Sequence, residues 1–522
     1  MSVIALHSVS FHHPSSAPLF TDVTLALDTS WRTGLIGRNG RGKSTLLHLI
    51  AGVFEPDRGT VAPPPFPALF PVPVSDEHVS ALEAVRAMVA PFRDWEREME
   101  RLLRTPDEPS LRRYGEIEER YRRAGGYGVE GAILQECSRL GLDEETLARP
   151  WRTLSGGERT KGMVAALFLR TGSFPLLDEP TNHLDADGRE RLGRYLSRKE
   201  GFIVVSHDRA LLDACCDHIV AIERAGIRTM PGTYADWKRQ VTLEEETERA
   251  RDGSLRREIA QLETAAQQRR SWSFARESEK NSAADSGYVS HKAAKMMKRA
   301  LSIERRIEER IEEKRSLLMN VETVRPLALS GAGTPPDILL SLEEVTLGYG
   351  GRAVLSGFSL TVRKGERVAL VGPNGCGKST VLNAVRGTLP LMAGHRRKGA
   401  GVVLAEVHQH PVWSHGSLRG RLRAEGIDET GFRTVMGSFG VCGDIFDRPL
   451  ETFSEGERKK VDLCRSFLLP AHLLVWDEPV NALDIEARER IEEALLRDAP
   501  TMLFTEHDRR FVETAATRVV RL

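Results

Sequence analysis

Gly37-Arg38-Asn39-Gly40-Arg41-Gly42-Lys43-Ser44 is repeated later in the chain as Gly372-Pro373-Asn374-Gly375-Cys376-Gly377-Lys378-Ser379. Both stretches fit the pattern G-x-x-x-x-G-K-[ST], in which the glycines let backbone N–H groups close around phosphates. An apolar run typical of a buried strand precedes each loop, and a predicted helix follows it, which indicates an α/β fold with two phosphate sites. The strands are predicted at 31–36 and 367–371, and the helices at 44–51 and 379–385.

Length, charge and cysteine content limit the possible classes of protein. A chain of 522 residues is too long for one core, so two or three domains are expected. Lys plus Arg and Asp plus Glu are equal at 74 each, so net charge indicates no partner. The sequence has no signal-peptide pattern and no apolar run of ~20 residues, which predicts a soluble, cytoplasmic protein without a transmembrane partner. The six cysteines lack metal-ligand spacing and are expected to be reduced thiols: Cys137, Cys215, Cys216, Cys376, Cys442 and Cys464.

A long segment without proline separates the two copies. Between Pro231 and Pro326, apolar residues recur at spacings of three and four, which predicts two long helices packed as an antiparallel hairpin. The chain is therefore divided into a first half at 1–237 with a helical insertion at about 75–128, a hairpin linker at 238–326, a tether at 327–336, and a second half at 337–522.

The end of the predicted hairpin is basic and carries aromatic side chains. Residues 269–299 contain eight Lys or Arg against three acids, with Trp272, Phe274 and Tyr288 among them. Cations suit phosphates and rings stack on bases, so nucleic acid is the expected partner of this tip. The alternative is a solvated helical face whose aromatic rings stabilise the turn.

Each half also carries a pair of carboxylates at the end of an apolar run, Asp178-Glu179 and Asp477-Glu478. The first acid of each pair can hold Mg²⁺ through water, and the second can polarise the water that attacks the γ-phosphate of ATP. The hydroxyls of Ser44 and Ser379 suit the same hard cation, because Mg²⁺ prefers oxygen ligands.

Two further motifs recur in the same order in both halves. After each carboxylate pair a histidine follows another apolar run, at His207 and His507, where it can bond the γ-phosphate and respond to its loss. A structural histidine is the alternative, but recurrence at the same place favours the functional role. Ahead of each pair, Ser155-Gly156-Gly157 and Ser454-Glu455-Gly456 open predicted helices, whose N–H groups and positive dipole end suit an anion.

These motifs make the chain similar to ATP-binding-cassette proteins with two cassettes, in which two ATP molecules lie head to tail between the halves. The resemblance implies a monomer whose halves pair with each other, ATP and Mg²⁺ as cofactors, and hydrolysis to ADP and phosphate. It assigns ATP binding to Gly37, Asn39, Gly40, Gly42, Lys43, Ser44, Thr45, Gly372, Asn374, Gly375, Gly377, Lys378, Ser379, Thr380, Ser155, Gly156, Gly157, Ser454 and Gly456. It assigns catalysis to Glu179, Glu478, His207 and His507, and metal binding to Ser44, Asp178, Ser379, Gln409 and Asp477.

The two copies depart from the family pattern in different ways. Glu455 stands where a glycine is expected, close to the ATP held by Lys43, and the stretch 70–73 offers no glutamine equivalent to Gln409. The hypothesis is that the site built on Lys43 hydrolyses ATP more slowly than the site built on Lys378, or in a different way. Phe11 and Tyr349 are candidates to stack on adenine, with a role in the core as the alternative.

Within the cassette proteins, the layout resembles the ABC-F family: two fused cassettes, no membrane domain and a helical hairpin between them. The stretch Asp178-Glu179-Pro180-Thr181-Asn182-His183-Leu184-Asp185 is also similar to that family. This resemblance implies binding at the tRNA exit site of the ribosome, with rRNA of the large subunit and P-site tRNA as partners. A transporter subunit and a DNA-repair or chromosome-organising ATPase are the alternatives.

Three stretches resemble the ABC-F branch that protects ribosomes against lincosamides, streptogramin A and pleuromutilins. They are residues 287–299, Trp476-Asp477-Glu478-Pro479-Val480-Asn481, and Thr505-Glu506-His507-Asp508. The implied function is displacement of antibiotics from the peptidyl-transferase centre, driven by ATP binding and ended by hydrolysis. A housekeeping translation factor of the same family is the alternative.

Overall fold

The computed structural model describes residues 2–14, 18–104, 107–223, 226–247, 250, 257, 264, 327–329, 333, 335–441 and 443–522. The chain divides into two compact units, Met1–Ala235 with Arg325–Leu522, and Asp236–Val324. Residues 234–247 are helical. The rest of the predicted hairpin, including its basic and aromatic tip, lies outside the described residues, and its structure stays a prediction.

The first half is built on a mainly parallel sheet of six strands. Its central strands are buried on both faces, which explains why they read as continuous apolar runs in the sequence. Only the last pair of strands is antiparallel. In spatial order the strands are Pro67–Phe70, Phe174–Asp178, Phe202–Val205, Arg32–Gly37, His218–Ile222 and Ile227–Pro231.

A second sheet of three antiparallel strands covers the P-loop helix Lys43–Ile50. Alternate residues of its strand Val3–His12 face a core that also contains Leu46, Leu49 and Ile50 from the helix. In spatial order its strands are Pro18–Asp28, Val3–His12 and Arg58–Ala62. The core therefore lies between this sheet, the P-loop helix and the parallel sheet.

Helices of the first half lie within the predicted insertion at about 75–128, and further helices follow it. Helical structure begins at Ala81 and continues through Ala148, because buried apolar residues such as Ile133 and Leu147 keep packing against the same body. The helices are Lys43–Ile50, Ala81–Val89, Phe92–Arg104, Glu108–Arg123, Val129–Arg139, Glu144–Ala148, Gly156–Leu169, Ala186–Leu196 and Arg209–Cys215, with 3₁₀ turns at Gly126–Gly128 and Trp151–Thr153.

The second half repeats this architecture, which confirms the predicted α/β fold with two P-loop domains. Its parallel sheet consists of Leu404–Val407, Leu473–Asp477, Met502–Thr505, Arg367–Val371 and Arg518–Arg521, in spatial order. Its antiparallel sheet consists of Arg352–Arg363, Ile338–Tyr349 and Ala393–Lys398. Its helices are Lys378–Arg386, Leu418–Glu425, Glu429–Ser438, Glu455–Leu468, Ile485–Asp498 and Arg509–Ala515, with 3₁₀ turns at Gly443–Asp447 and Leu450–Thr452.

Both P-loop helices begin one residue earlier than predicted, at the lysine. Gly42 and Gly377 precede them with φ values of 88° and 103°, in the left-handed region that glycine adopts without steric cost. The loop can therefore reverse direction immediately before the helix and leave the first helical N–H groups pointing into the loop.

The helix Ile485–Asp498 contacts the chain on either side of the second unit. Tyr234 donates its hydroxyl hydrogen to Glu489 at 3.2 Å, and the Leu329 amide donates to Asp498 at 3.0 Å. Leu327 is buried in the core of the second half, and its carbonyl accepts a hydrogen bond from Arg497. The predicted tether at 327–336 is thus held against the second half at its start.

Across the described part of the chain, no helix combines the length and the apolar character needed to cross a membrane.

Candidate nucleotide sites between the two halves

Each P-loop forms a cradle whose lysine is turned onto its own backbone. Lys43 Nζ donates to the carbonyls of Gly37 at 2.8 Å and Arg38 at 3.2 Å. Lys378 Nζ donates in the same way to Gly372 at 2.8 Å and Pro373 at 2.9 Å. Burial lowers the pKa of the Lys43 ammonium, against the opposing effect of nearby carboxylates. Both ammonium groups are placed at the loop mouth, where a nucleotide phosphate would offer them a stronger acceptor.

The carboxylate pairs lie at the ends of strands that are separated from the P-loop strands by one strand, Phe202–Val205 in the first half and Met502–Thr505 in the second. Asp178 and Asp477 are the last strand residues, and Glu179 and Glu478 follow with φ values of 49° and 48°. A left-handed backbone at a non-glycine residue costs on the order of 1–3 kcal/mol and is concentrated at functional sites. Backbone hydrogen bonds hold both glutamates, to the Val205 carbonyl at 2.9 Å and the Thr505 carbonyl at 3.1 Å.

The predicted histidines lie beside these glutamates. His207 Nε2 is 3.3 Å from Glu179 Oε1 and 3.0 Å from Asn39 Oδ1, whereas His507 Nε2 is 3.6 Å from Glu478 Oε1. Burial, followed by the charges of Lys43 and Arg488, holds the pKa of His207 well below its ordinary value. His207 is therefore neutral at physiological pH and can accept or donate one hydrogen bond at Nε2.

The two glutamates differ in protonation although their backbones match. Burial raises the pKa of Glu179 to about 7, and its Oε1 lacks a well-aligned hydrogen bond from any described residue. Burial acts on Glu478 as well, but the hydrogen bond from His507 and the nearby lysines outweigh it and lower its pKa. An orphaned buried carboxylate oxygen beside a phosphate cradle suits a water molecule that must lose a proton.

The helices expected to cap ATP begin with identical hydrogen-bonding boxes. Ser155 Oγ accepts from the Glu158 amide at 3.2 Å, while the Glu158 carboxylate accepts from the Ser155 amide at 2.7 Å. Ser454 and Glu457 form the same pair at 3.2 and 2.8 Å. The box fixes each serine at the helix N-terminus, where the remaining N–H groups face an anion site.

The first P-loop is completed by the second half. The Asn39 amide donates to Asp484 at 3.1 Å, and its side chain donates to the Ala482 carbonyl at 2.9 Å. Gly456 lies so close to Asn39 that an added Cβ would come within 2.8 Å of Asn39 Nδ2. The helix N-terminus at Ser454 thus lies against the P-loop of the opposite half. We call the arrangement of Lys43, Glu179 and His207 facing Ser454 and Gly456 the first site.

The second P-loop meets the first half through the corresponding contacts. The Asn374 amide donates to Asp185 at 3.4 Å, and its side chain donates to the His183 carbonyl at 3.3 Å. A Cβ on Gly157 would come within 3.0 Å of that same carbonyl. The second site therefore combines Lys378, Glu478 and His507 with Ser155, Gly156 and Gly157, head to tail with the first, but its contacts are longer.

The comparisons with known proteins agree with this geometry. The model of the ABC transporter family matches residues 20–182 and 355–481, which is more than half of the chain. The chain belongs to the ABC transporter family. Two copies of the ATP-binding domain of this family make it an ATPase, as predicted, and ATP is the nucleotide that both sites take.

Relatives similar over nearly the whole chain place it in the ABC-F type of this family. ABC transporter F family member 2 of Arabidopsis thaliana is 29% identical over 96% of this chain and 75% of its own length. ATP-binding protein Uup of Escherichia coli is 29% identical over 99% and 80%, respectively. The putative ATP-binding protein YdiF of Bacillus subtilis is 28% identical over 97% and 77%. None of these three is named for antibiotic resistance, so that finer assignment stays a proposal.

Solved structures with the same fold include archaeal aABCE1, a ribosome recycling factor crystallised with the ribosomal stalk protein aP1. The similarity has a TM-score of 0.56 at 20% identity and covers 99% of this chain and 87% of that one. The structure of RNase-L inhibitor matches equally well, with a TM-score of 0.56 at 19% identity and the same coverage. At this identity the similarity confirms the twin-cassette fold alone.

Oxygen donors suited to Mg²⁺ are present in both sites of this ABC-F ATPase. Ser44 with Asp178, and Ser379 with Asp477, bring one hydroxyl and one carboxylate to each P-loop. These donors fit a hard cation but are too few to hold it alone, so ATP oxygens and water would complete its coordination. Gln409 donates to Glu478 Oε1 at 3.3 Å and so lies beside the second site.

At the corresponding place in the first half, 70–73 carries the buried apolar side chains of Phe70 and Val72. The absence of an amide at these positions, expected from the sequence, leaves Glu179 without the contact that Gln409 makes to Glu478. This is one of the differences between the sites that sequence and structure both display.

The two candidates for stacking on adenine are not equivalent, and the prediction for Phe11 is corrected. Tyr349 is 52% exposed at the end of its strand, but Phe11 is 8% exposed in the core and stacks on Phe54 at 5.6 Å. The residue at the place of Tyr349 is His13, because each lies five residues after the strand residue with a φ of 49°, Glu344 and Ser8 respectively. His13 Nε2 is 3.2 Å from Thr45 Oγ1, beside the P-loop helix.

Ion pairs between the halves distinguish the first site from the second, and sequence reasoning missed them. Arg38 pairs with Glu486, and Arg209, which is 2% exposed, pairs with Glu492 across the interface. The corresponding residues of the second site are Pro373 and Arg509, and Arg509 is exposed and pairs with Glu513 of its own helix. The arginines that follow Asp208 and Asp508 in the sequence could have been noted as candidates for a contact between the halves. The partner of Arg209, Glu492, could not have been found in this way.

We expect Arg209→Ala to destabilise the pairing of the halves. Removing one partner of a buried ion pair leaves Glu492 uncompensated and costs about 3–5 kcal/mol, which corresponds to a melting temperature lower by about 5–10 °C. Differential scanning calorimetry measures this shift.

The matched control is Arg509→Ala, which removes an exposed pair and should change the melting temperature by less than about 2 °C. The double variant Arg209→Ala with Glu492→Ala should lose less than the sum of its single changes. Equal shifts for Arg209→Ala and Arg509→Ala would contradict the role of the buried pair.

Proposed function

We propose that this ABC-F ATPase acts on the ribosome, where ATP binding closes its two halves and hydrolysis releases them. The observation that carries the closing step is the head-to-tail contact of each P-loop with the opposite half, through Asn39 with Ala482 and Asn374 with His183. Bound ATP would add its phosphates to both sides of these contacts and strengthen them. Apart from Phe11, the site residues predicted from the sequence keep their roles as part of this proposal.

Each group of site residues has its own role in the binding and hydrolysis of ATP. Lys43 and Lys378 leave their backbone carbonyls and neutralise phosphate charge, while the glycine loops donate N–H groups. Glu179 and Glu478 hold the attacking water and take its proton, and His207 and His507 hold the γ-phosphate. Mg²⁺, bound through Ser44 with Asp178 and Ser379 with Asp477, would supply charge neutralisation between the β- and γ-phosphates. The serines at the opposite helix N-termini orient the same phosphate.

Three observations support the ribosome as partner. The relatives that cover nearly the whole chain include proteins named as ABC transporter F family members. The structures with the same fold include a ribosome recycling factor and ABCE1 bound to ribosomes with Pelota. The predicted tip at 269–299 has the cations and aromatic side chains that suit rRNA and tRNA. The proposal includes a cytoplasmic location, with the large subunit and P-site tRNA as contacts.

The finer proposal is protection of the ribosome against antibiotics of the peptidyl-transferase centre. It is favoured by the sequence of residues 287–299 and by the Ser454-Glu455-Gly456 form of the second signature. A housekeeping translation factor remains the second candidate, since the named relatives are compatible with both.

We expect the double variant Glu179→Gln, Glu478→Gln to sediment with ribosomes in ATP and the unaltered protein to sediment less. Loss of both bases blocks hydrolysis and holds the halves closed, so the bound state accumulates. Quantifying the protein in ribosome pellets with ATP, and with ADP as control, tests this. A double variant that stays in the supernatant would favour the transporter or DNA-repair alternative.

We expect Glu478→Gln to reduce steady-state ATP turnover more than Glu179→Gln does. Glu455 brings a carboxylate to the first site, which also lacks the glutamine contact, so the second site should supply most of the turnover. Loss of a general base slows hydrolysis at its own site by about 10²–10⁴-fold. The turnover that remains in each single variant therefore comes from the other site. Glu478→Gln should retain less than about one fifth and Glu179→Gln more than about half of the turnover. Glu190→Gln, outside both sites, is the control, and equal losses would refute the asymmetry.

We expect expression in a drug-sensitive bacterial host to raise the inhibitory concentration of at least one lincosamide, streptogramin A or pleuromutilin clearly above that of the same host without the protein. The double glutamate variant, expressed at the same level, provides the control. An unchanged inhibitory concentration for all three classes would favour the housekeeping factor.

A further inference from the structure

A small basic cavity lies in the first half, away from both nucleotide sites. Its volume is about 170 Å³, and it lies between the helices Val129–Arg139 and Ala186–Leu196. Six residues line it, and all of them except Tyr195 carry a positive charge. The five cations are Arg139, Arg191, Arg194, Arg198 and Lys199. Such a concentration of cations around one opening indicates an anion as ligand.

A buried carboxylate fixes the wall of this cavity. Glu136 is 7% exposed and accepts hydrogen bonds from Lys199 at 2.5 Å, Tyr195 at 2.5 Å and Arg139 at 2.6 Å. Lys199 Nζ also lies 4.6 Å from the centre of the Tyr195 ring, within cation–π range. The two cations are therefore held in place before any ligand arrives, which lowers the entropic cost of binding.

The carboxylates near the cavity do not balance its cations. Arg191 pairs with Asp187 at 2.6 Å, Arg194 pairs with Glu190 at 3.5 Å, and Glu136 is shared by Arg139 and Lys199. Among the described residues no ion pair involves Arg198. Five positive charges thus face three negative ones, and the excess suits a ligand that brings negative charge of its own.

The fold does not require the whole cluster, because the second half keeps only part of it. Aligning Asp185 with Asp484, the N-cap residues of the two equivalent helices, places arginines at Arg191 and Arg198 but Glu493 at Arg194 and Asp498 at Lys199. The cluster also lies at the far end of its helix, about 14 Å from Asp185 at ~1.5 Å per residue. Neither helix packing nor the ATP chemistry explains the charges, which points to a separate binding role.

We propose that this cavity binds a phosphate group of an RNA backbone. Four of the five cations are arginines, whose planar guanidinium groups match pairs of phosphate oxygens better than ammonium groups do. A volume of about 170 Å³ admits a phosphate with its bound water. The inference rests on the proposed function in one respect, because rRNA is the RNA that a ribosome-bound ATPase would meet. A carboxylate of an acidic protein is the competing ligand.

The test compares two double variants with the same change of charge in the full-length protein. Arg194→Glu with Arg198→Glu alters the cavity, and Arg112→Glu with Arg113→Glu alters exposed arginines on the helix Glu108–Arg123 of the same half. The probe is a fluorescein-labelled RNA duplex of about 20 base pairs, titrated between about 50 and 200 mM salt. Both variants should keep the ATPase rate and melting temperature of the unaltered protein, since all four arginines are exposed.

The cavity variant should bind the duplex about tenfold more weakly, and its log–log salt dependence should become shallower by about 1. The control variant should stay within about twofold of the unaltered protein. Equal weakening in both variants would show a general charge effect and overturn the proposal. Poly-glutamate binding that falls in the cavity variant while RNA binding does not would assign the cavity to an acidic protein instead.

Ribosome pelleting separates this inference from the proposed function. In one outcome, the variant Glu179→Gln, Glu478→Gln sediments with ribosomes, and adding the two cavity substitutions changes neither its sedimentation nor its RNA binding. The cavity inference is then wrong and the ribosome proposal stands. If the double glutamate variant does not sediment but the cavity variant loses RNA affinity, the ribosome proposal fails and the phosphate site remains.

Discussion

The structure depends on one constraint: neither phosphate cradle is complete within its own half. Asn39 and Asn374 each donate a side-chain hydrogen bond to a backbone carbonyl of the opposite half, and each backbone amide approaches an aspartate there. Backbone carbonyls and helix N-termini cannot move without their whole half. Under the proposed function, a change at the γ-phosphate position would alter the contact between the two halves, which a site within one domain could not do.

The same constraint allows the sites to differ. At the first site, where the contacts of Asn39 are short, the half-buried pair of Arg38 with Glu486 and the buried pair of Arg209 with Glu492 join the halves. At the second site a proline and an exposed arginine occupy the corresponding places. Glu179 and Glu478 share a strained backbone but differ in the direction of their pKa shifts. One interface thus contains a strongly bonded side and a weakly bonded side, with the same catalytic groups on both.

Local chemistry explains which features the sequence could predict. The P-loops, the carboxylate pairs and the histidines depend on short stretches with their own strand and helix signals, and they lie where they were expected. Phe11 failed because burial depends on strand pairing, and the ring two residues before His13 faces the core. The pair of Arg209 and Glu492 joins residues 283 positions apart on docked surfaces. No periodicity in the chain encodes such a contact, nor the cavity that Glu136 organises between two helices.

The helix Ile485–Asp498 connects these features. Its first turn faces the first P-loop through Asp484 and Glu486, its middle binds Tyr234 through Glu489, and its last turn binds the chain near Leu327. The chain leaves for the second unit just after Tyr234 and returns just before Leu327. A single helix, with its N-cap residue Asp484, therefore contacts the first P-loop and the chain both before and after the second unit. The two crossings of the chain into and out of that unit thus share one support, and the same support borders the first P-loop.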